Sequence, residues 1–164
     1  MHKQILAILL LIFANLSLAG GSDALPPKQV NWPVEGFLGT FDRQAAQRGF
    51  QVYKEVCSTC HGLDQLSYRN LTDIGFSIAE VKQIASQDTV IDGPNSDGEM
   101  YERPGIPADR FVGPYKNEEE ARSANNGSLP ADLSLIVKAR PDGANYLFSL
   151  LTGYADAPED FQLM

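Results

Sequence analysis

Cys57-Ser58-Thr59-Cys60-His61 holds both cysteines of the chain and its one histidine beyond position 2. At C-x-x-C-H spacing two thiols can add across the vinyl groups of a c-type haem, and the imidazole that follows can bind iron on the proximal face. A structural zinc site needs four N or S ligands. Beyond the N-terminal segment the chain offers only Cys57, Cys60 and His61, so zinc would require a carboxylate or a second chain. A thioredoxin-type C-x-x-C belongs where a strand meets a helix in a βαβ pattern, and the flanking residues do not read that way. A disulfide between the two cysteines would close too small a loop to stabilise much.

The elements that must position this motif read as mainly α. Asp42 to Val56 has Ala46, Phe50, Tyr53 and Val56 on one face and Asp42 as cap, which predicts a helix that delivers the chain into the motif. Gly49 within it costs about 1 kcal/mol relative to Ala and suggests a close backbone approach. Ser77-Ile78-Ala79-Glu80 is a capping-box pattern, with Ile78, Val81, Ile84 and Ala85 as the buried stripe behind it. From Asp88 to Asn117, Pro and Gly recur too often for a regular element, so an ordered excursion over the haem edge is expected, packed through Tyr101, Phe111 and Tyr115. Asn117 before Glu118-Glu119-Glu120 reads as a capped helix start that ends near Asn125-Asn126-Gly127. Two short helices are expected over Asp132 to Ala139 and Ala144 to Thr152, the second closed by Gly153. Leu133, Ile136 and Val137 mark the buried face of the first, and Tyr146, Leu147, Leu150 and Leu151 that of the second. No stretch reads convincingly as a strand.

Composition bounds the whole. The 164 residues, 43% of them hydrophobic, allow one domain with a core. Residues 1–19 read as a secretory signal: one Lys, an apolar run from Ile5 to Leu16, and Ser17-Leu18-Ala19 before Gly20. The apolar run is shorter than the ~20 residues that cross a bilayer. The domain is then 20–164, and cleavage removes one Lys and moves the formal charge from −8 to −9. That acidity argues against nucleic acid and suits solubility or a basic partner. For a sixth iron ligand the chain offers Met100 and Met164, and neither lies in a pattern that would hold a thioether against iron.

Blocks well beyond the motif carry a family resemblance. Gly49-Phe50-Gln51-Val52-Tyr53 before the motif, Leu66-Ser67-Tyr68-Arg69-Asn70-Leu71 after it, and Asp92-Gly93-Pro94-Asn95, Arg103-Pro104-Gly105, Ala124-Asn125-Asn126-Gly127, Asp132-Leu133-Ser134-Leu135-Ile136 and Tyr146-Leu147-Phe148-Ser149-Leu150-Leu151-Thr152-Gly153-Tyr154 resemble the cytochrome c1 family. That family is the haem subunit of the ubiquinol–cytochrome c oxidoreductase (bc1) complex. The resemblance implies a class I cytochrome c-like haem domain with a long Gly/Pro-rich insertion. It makes Cys57 and Cys60 the thioether anchors and His61 the axial ligand of one haem c. It places Asn125, Pro130, Arg140 and Tyr146 along the haem, with Arg140 as partner of a propionate. The family usually has a second Pro where this chain has Ala131. It also continues to an axial methionine, a C-terminal helix and a membrane anchor, so on this reading the chain is incomplete.

The implied activity is one-electron transfer, without substrate bonds made or broken by the subunit itself. The electron would come from the Rieske iron–sulfur protein, beside cytochrome b, and go to a basic c-type cytochrome. A simple signal without an Arg-rich transit peptide favours the periplasmic side of a bacterial inner membrane over the mitochondrial one. The rivals from other classes are a stand-alone periplasmic monohaem carrier and a haem-based sensor or peroxidase with an open sixth position.

Overall fold

The structure is a computed structural model and describes residues 25–156. The expected signal at 1–19 and Met164 lie outside the described residues. Asp42, in extended backbone, accepts the Ala45 N–H on its carboxylate at 3.0 Å and so starts helix α1, Arg43–Glu55. On its inner face Phe50 meets the rings of Phe76 and Phe111 at 5.7 and 6.0 Å and stacks on Tyr53. Val56, expected on that buried stripe, is 65% exposed because the chain leaves the helix there and turns into a short 3-10 helix, Cys57–Thr59. Gly49 faces open space, with nothing within 4 Å of an added Cβ. Among the described residues the close approach expected at Gly49 is absent.

A second 3-10 helix, Tyr68–Ile74, starts at a reciprocal pair in which the Ser67 N–H donates to Asn70 Oδ1 at 2.9 Å. Helix α2, Ile78–Ala85, begins at the expected box, with the Ser77 N–H donating to Glu80 Oε2 at 2.7 Å and the Glu80 N–H to Ser77 Oγ at 3.3 Å. The Ser77 hydroxyl, which also donates to Glu80 Oε2 at 2.7 Å, and the Ser77 N–H hold the Glu80 carboxyl below its ordinary range. Ile78 of the expected stripe is exposed, whereas Val81 and Ala85 are buried. With Tyr68, Leu71 and Phe111 they form the core, and Phe50, Leu63, Leu66, Ile74, Phe76 and Ile84 pack on it.

Between Asp88 and Asn117 the structure corrects the expectation of no regular element. Thr89–Asp92 (β1) and Tyr101–Pro104 (β2) pair antiparallel, Thr89 opposite Pro104 and Asp92 opposite Tyr101. The prolines flank the ladder instead of interrupting it. Pro94 follows β1 and Pro104 ends β2. Asn95 Oδ1 accepts the N–H groups of Asp97 and Glu99, both at 2.9 Å, and so closes the connecting loop. Arg103 on β2 bonds the Asp92 carboxylate and grips Asp109 with two nitrogens at 2.6 and 2.9 Å. A Cβ on Gly105 would lie 2.5 Å from the Ala85 carbonyl oxygen, so only glycine lets the hairpin base sit on α2. The segment then returns along the core, with the Tyr68 N–H donating to Asp109 O at 3.1 Å and the Phe111 N–H to Leu66 O at 3.1 Å.

Helix α3, Glu118–Ala124, is capped as expected by Asn117, whose side chain accepts the Glu120 N–H at 2.8 Å. The helix expected over Asp132 to Ala139 is only one turn, α4, Ile136–Ala139. Residues 132–134 are spent instead on bonds to residues 62–65, described below. Helix α5, Gly143–Leu151, ends at Thr152, and its Leu150 and Leu151 are exposed, against the buried face expected for them, while Tyr146 and Leu147 are half-buried. An extended N-terminal segment lies on α5. Asn145 Oδ1 accepts the Val30 N–H at 3.2 Å and the Trp32 indole N–H at 2.8 Å. The described residues thus form a mainly helical domain with one two-stranded hairpin. No helix among them is long and apolar enough to cross a membrane.

Candidate functional site

Helix α1 carries the chain to Cys57 and Cys60, which are free, half-buried thiols. The 3-10 turn between them is held by the Cys60 and His61 N–H groups, which donate to Cys57 O at 3.1 and 2.9 Å. The Ser58 hydroxyl donates to Lys54 O at 2.8 Å and ties the turn to the end of α1. Both thiols and the imidazole therefore leave one compact, locally bonded corner.

His61 Nδ1 lies 2.7 Å from the Ala131 carbonyl oxygen. A carbonyl only accepts, so Nδ1 carries the proton and Nε2 keeps its lone pair. An imidazole fixed in this way is prepared to bind a metal through Nε2, with its basicity raised by the hydrogen bond behind it. The Ala131 carbonyl is held in turn by a strap. The Leu133 N–H donates to Gly62 O at 2.9 Å, the Asp64 N–H to Asp132 Oδ2 at 2.7 Å and the Gln65 N–H to Ser134 Oγ at 3.0 Å. A Cβ on Gly62 would meet Asp64 Oδ1 at 2.7 Å, so a larger residue directly after His61 would make the Asp64 carboxylate swing aside. The Tyr53 hydroxyl donates to His61 O at 3.0 Å, so α1 also grips the ligand's backbone. Burial, reinforced by the Asp132 and Asp64 charges, pushes the Tyr53 hydroxyl up to about 12. It remains a donor at neutral pH.

A cavity of 380 Å³ opens beside Cys60, walled by Gly62, Pro114, Tyr115, Leu129, Pro130 and Asp132. A second, of 280 Å³, is lined by Phe50, Tyr53, Ser58, Phe111 and Val112. Two thiols, a tautomer-locked imidazole and adjoining cavities walled by both apolar and polar side chains are chemically suited to a covalently attached haem, which Cys57 and Cys60 could anchor and His61 could ligate. Among the described residues, no group of three or more His, Cys, Asp or Glu side chains is arranged to hold a metal ion by itself.

The other residues named from sequence are distributed unevenly. Pro130 lines the cavity with Cys60. Asn125 does not line it, but donates to the Tyr115 hydroxyl at 3.0 Å and to Ala121 O at 2.7 Å, and so orients a residue of its wall. Tyr146 is half-buried on α5, and Arg140 is exposed at the end of α4, donating to its neighbour Ala139 O at 3.3 Å. Neither lines that cavity. Met100 is 60% exposed on the hairpin, next to Gly93. Tyr115, expected to pack the loop over the haem edge, does line the cavity, whereas sequence reasoning missed the Ala131 carbonyl, the strap of Asp132 and Ser134, and the Tyr53 hydroxyl. Only Tyr53 carried a signal, as a phenol on an otherwise apolar helix stripe.

Comparison with known proteins gives the family. The family model described as Cytochrome C1 family matches residues 32–164. A mitochondrial cytochrome c1 heme protein of Arabidopsis thaliana is 46% identical over 150 residues, 91% of this chain and 49% of that protein. Cytochrome c1 of Rhodospirillum rubrum is 49% identical over 129 residues, 78% of this chain and 47% of that protein. The mitochondrial cytochrome b-c1 complex catalytic subunit of Candida albicans is 47% identical over 142 residues, 87% of this chain and 49% of that protein. The chain spans about half the length of these relatives. On the family match and on these identities, the chain belongs to the cytochrome c1 family.

Proposed function

We propose that this chain is the haem-bearing part of a cytochrome c1 and transfers single electrons within a bc1 complex. The observation that carries the reading is the Ala131 carbonyl 2.7 Å from His61 Nδ1, which leaves the Nε2 lone pair of the residue after Cys60 available to a metal. When bound, the haem supplies a one-electron ferric–ferrous couple. The chain's own residues do the rest. Cys57 and Cys60 retain the ring by thioether bonds, and His61 is aimed by Ala131 and Tyr53. Tyr115, Leu129 and Pro130 exclude water from one side, which lowers the local dielectric and so tunes the couple.

In this reading Asn125, Arg140 and Tyr146 also act toward the haem, Arg140 through a propionate. The electron arrives from a Rieske iron–sulfur protein beside cytochrome b and leaves to a basic c-type cytochrome. Names of relatives that specify the b-c1 complex support membership of such an assembly. Residues 1–19 serve as the export signal of a domain at 20–164 on the periplasmic side of a bacterial inner membrane.

The test is covalent attachment. Produced with a haem-ligation system, the chain should keep its haem through acid–acetone extraction and denaturing electrophoresis. Cys57→Ala or Cys60→Ala should leave one thioether or abolish maturation. Loss of haem from the unsubstituted chain would refute the assignment.

A further inference from the structure

Asp132 is placed to do more than close a loop. Its Oδ2 accepts the Asp64 N–H at 2.7 Å and its Oδ1 the Ser134 N–H at 3.0 Å. The first bond reaches across to the strand of chain that follows His61. The second folds residues 132–134 back on themselves, which presents the Leu133 N–H to Gly62 O at 2.9 Å and Ser134 Oγ to the Gln65 N–H at 3.0 Å. Ala131, immediately before Asp132, is the residue whose carbonyl meets His61 Nδ1. One carboxylate therefore joins the two segments, 70 residues apart, at the point where the imidazole meets its partner behind the ring. Arg110 Nη1 donates to Asp64 O at 3.0 Å and braces the same segment from the outer side.

We propose that Asp132 is a positioning residue for the axial ligand: it holds the Ala131 carbonyl on His61 Nδ1 and thereby sets how strongly His61 donates to iron. This rests on the assignment of His61 as haem ligand. The chemistry distinguishes it from a simple charge near the site. A carboxylate offers an acceptor on both oxygens, whereas an amide offers one, so Asp132→Asn cannot keep both backbone bonds. Weakening the Ala131 contact makes the imidazole a poorer donor, which favours the ferrous state and raises the potential.

The experiment uses the haem-loaded chain, reduced under carbon monoxide so that iron is diamagnetic, and reads solvent exchange of the His61 Nδ1 proton by NMR beside the midpoint potential. Asp132→Ala is expected to speed that exchange about tenfold, the size of one lost hydrogen bond. Asp132→Asn should speed it by less, and both should raise the potential. Should Asp132→Ala not fold, Asp132→Asn and Ser134→Ala carry the test, since each removes one bond of the strap and leaves the rest. Exchange unchanged in Asp132→Asn would overturn the proposal, as would equal potentials in variant and unsubstituted protein. A potential that rises with exchange unchanged would mean a bare charge effect and overturn it too. Failure of the haem assignment is separable, because then the unsubstituted chain holds no haem on a denaturing gel.

Discussion

His61 is the residue on which the site turns, and its two supports have different strengths. Ala131 fixes the ring, while Tyr53 fixes the backbone through a 3.0 Å bond to His61 O. Tyr53→Phe keeps the ring that stacks on Phe50 and removes only that donor, which leaves a half-buried carbonyl without its partner. A cost of about 1 kcal/mol is expected, read as a lower denaturant midpoint at unchanged slope. Gly49 is the opposite case. With open space where its Cβ would be and helical backbone on both sides, Gly49→Ala should stabilise the chain by about 0.5–1 kcal/mol in the same measurement. A destabilised Gly49→Ala would mean that another element covers that face in solution.

At the scale of elements, the hairpin and α2 depend on different physics. Leu71 lies in the core beneath α2, and Leu71→Ala should cost about 2–5 kcal/mol because the surrounding side chains cannot close the cavity. The hairpin instead is tied to the return segment by Arg103, which bridges Asp92 on β1 and Asp109 beyond β2. The guanidinium holds both carboxyls below their ordinary value of 3.8. A depressed folded value means stability that is complete above about that pH and is lost as pH falls through the depressed value. The amides of β1 and β2 should therefore stay protected from neutral pH down to the ordinary carboxylate range, and lose protection only below it. Arg103→Leu should weaken protection already at neutral pH and remove that acid transition. Unaltered hydrogen exchange in Arg103→Leu would show that the ladder needs no ionic tie.

The whole molecule is acidic, with a formal charge of −8, and that charge bears on partners more than on folding. The Glu118–Glu120 run divides when its side chains are followed individually. Glu120 accepts the Lys116 N–H at 2.7 Å, and Glu118 lies 3.8 Å from Arg122 on the next turn, so both have local roles at the start of α3. Glu119 has no ion pair among the described residues and is exposed. Electron delivery from the haem-loaded protein to a basic c-type cytochrome should slow as salt rises. Glu119→Lys should lower the rate at low salt and flatten its salt dependence, without the helix damage expected of reversing all three. An unchanged slope would remove Glu119 from the docking face.

Much of the site was legible in the chain because its chemistry is local. Cys57, Cys60 and His61 lie within five residues, and the caps Asp42, Ser77 and Asn117 act on amides within three residues of themselves, so residue type and spacing carry the information. The hairpin was not legible, because prolines and glycines at its ends mask a ladder whose closure depends on the Asn95 side chain and on Arg103 reaching Asp109. The one-turn α4 was not legible either. Its periodicity is helical, but residues 132–134 gain more from bonding 62–65 than from continuing a helix. Least legible was the Ala131 carbonyl. A backbone acceptor has the same chemistry in every residue, and this one meets its donor across 70 positions of sequence. Residue identity thus determined which groups can hold a haem, while tertiary structure decided which nitrogen of His61 is left free to bind a metal, since only contact between distant segments chooses a tautomer.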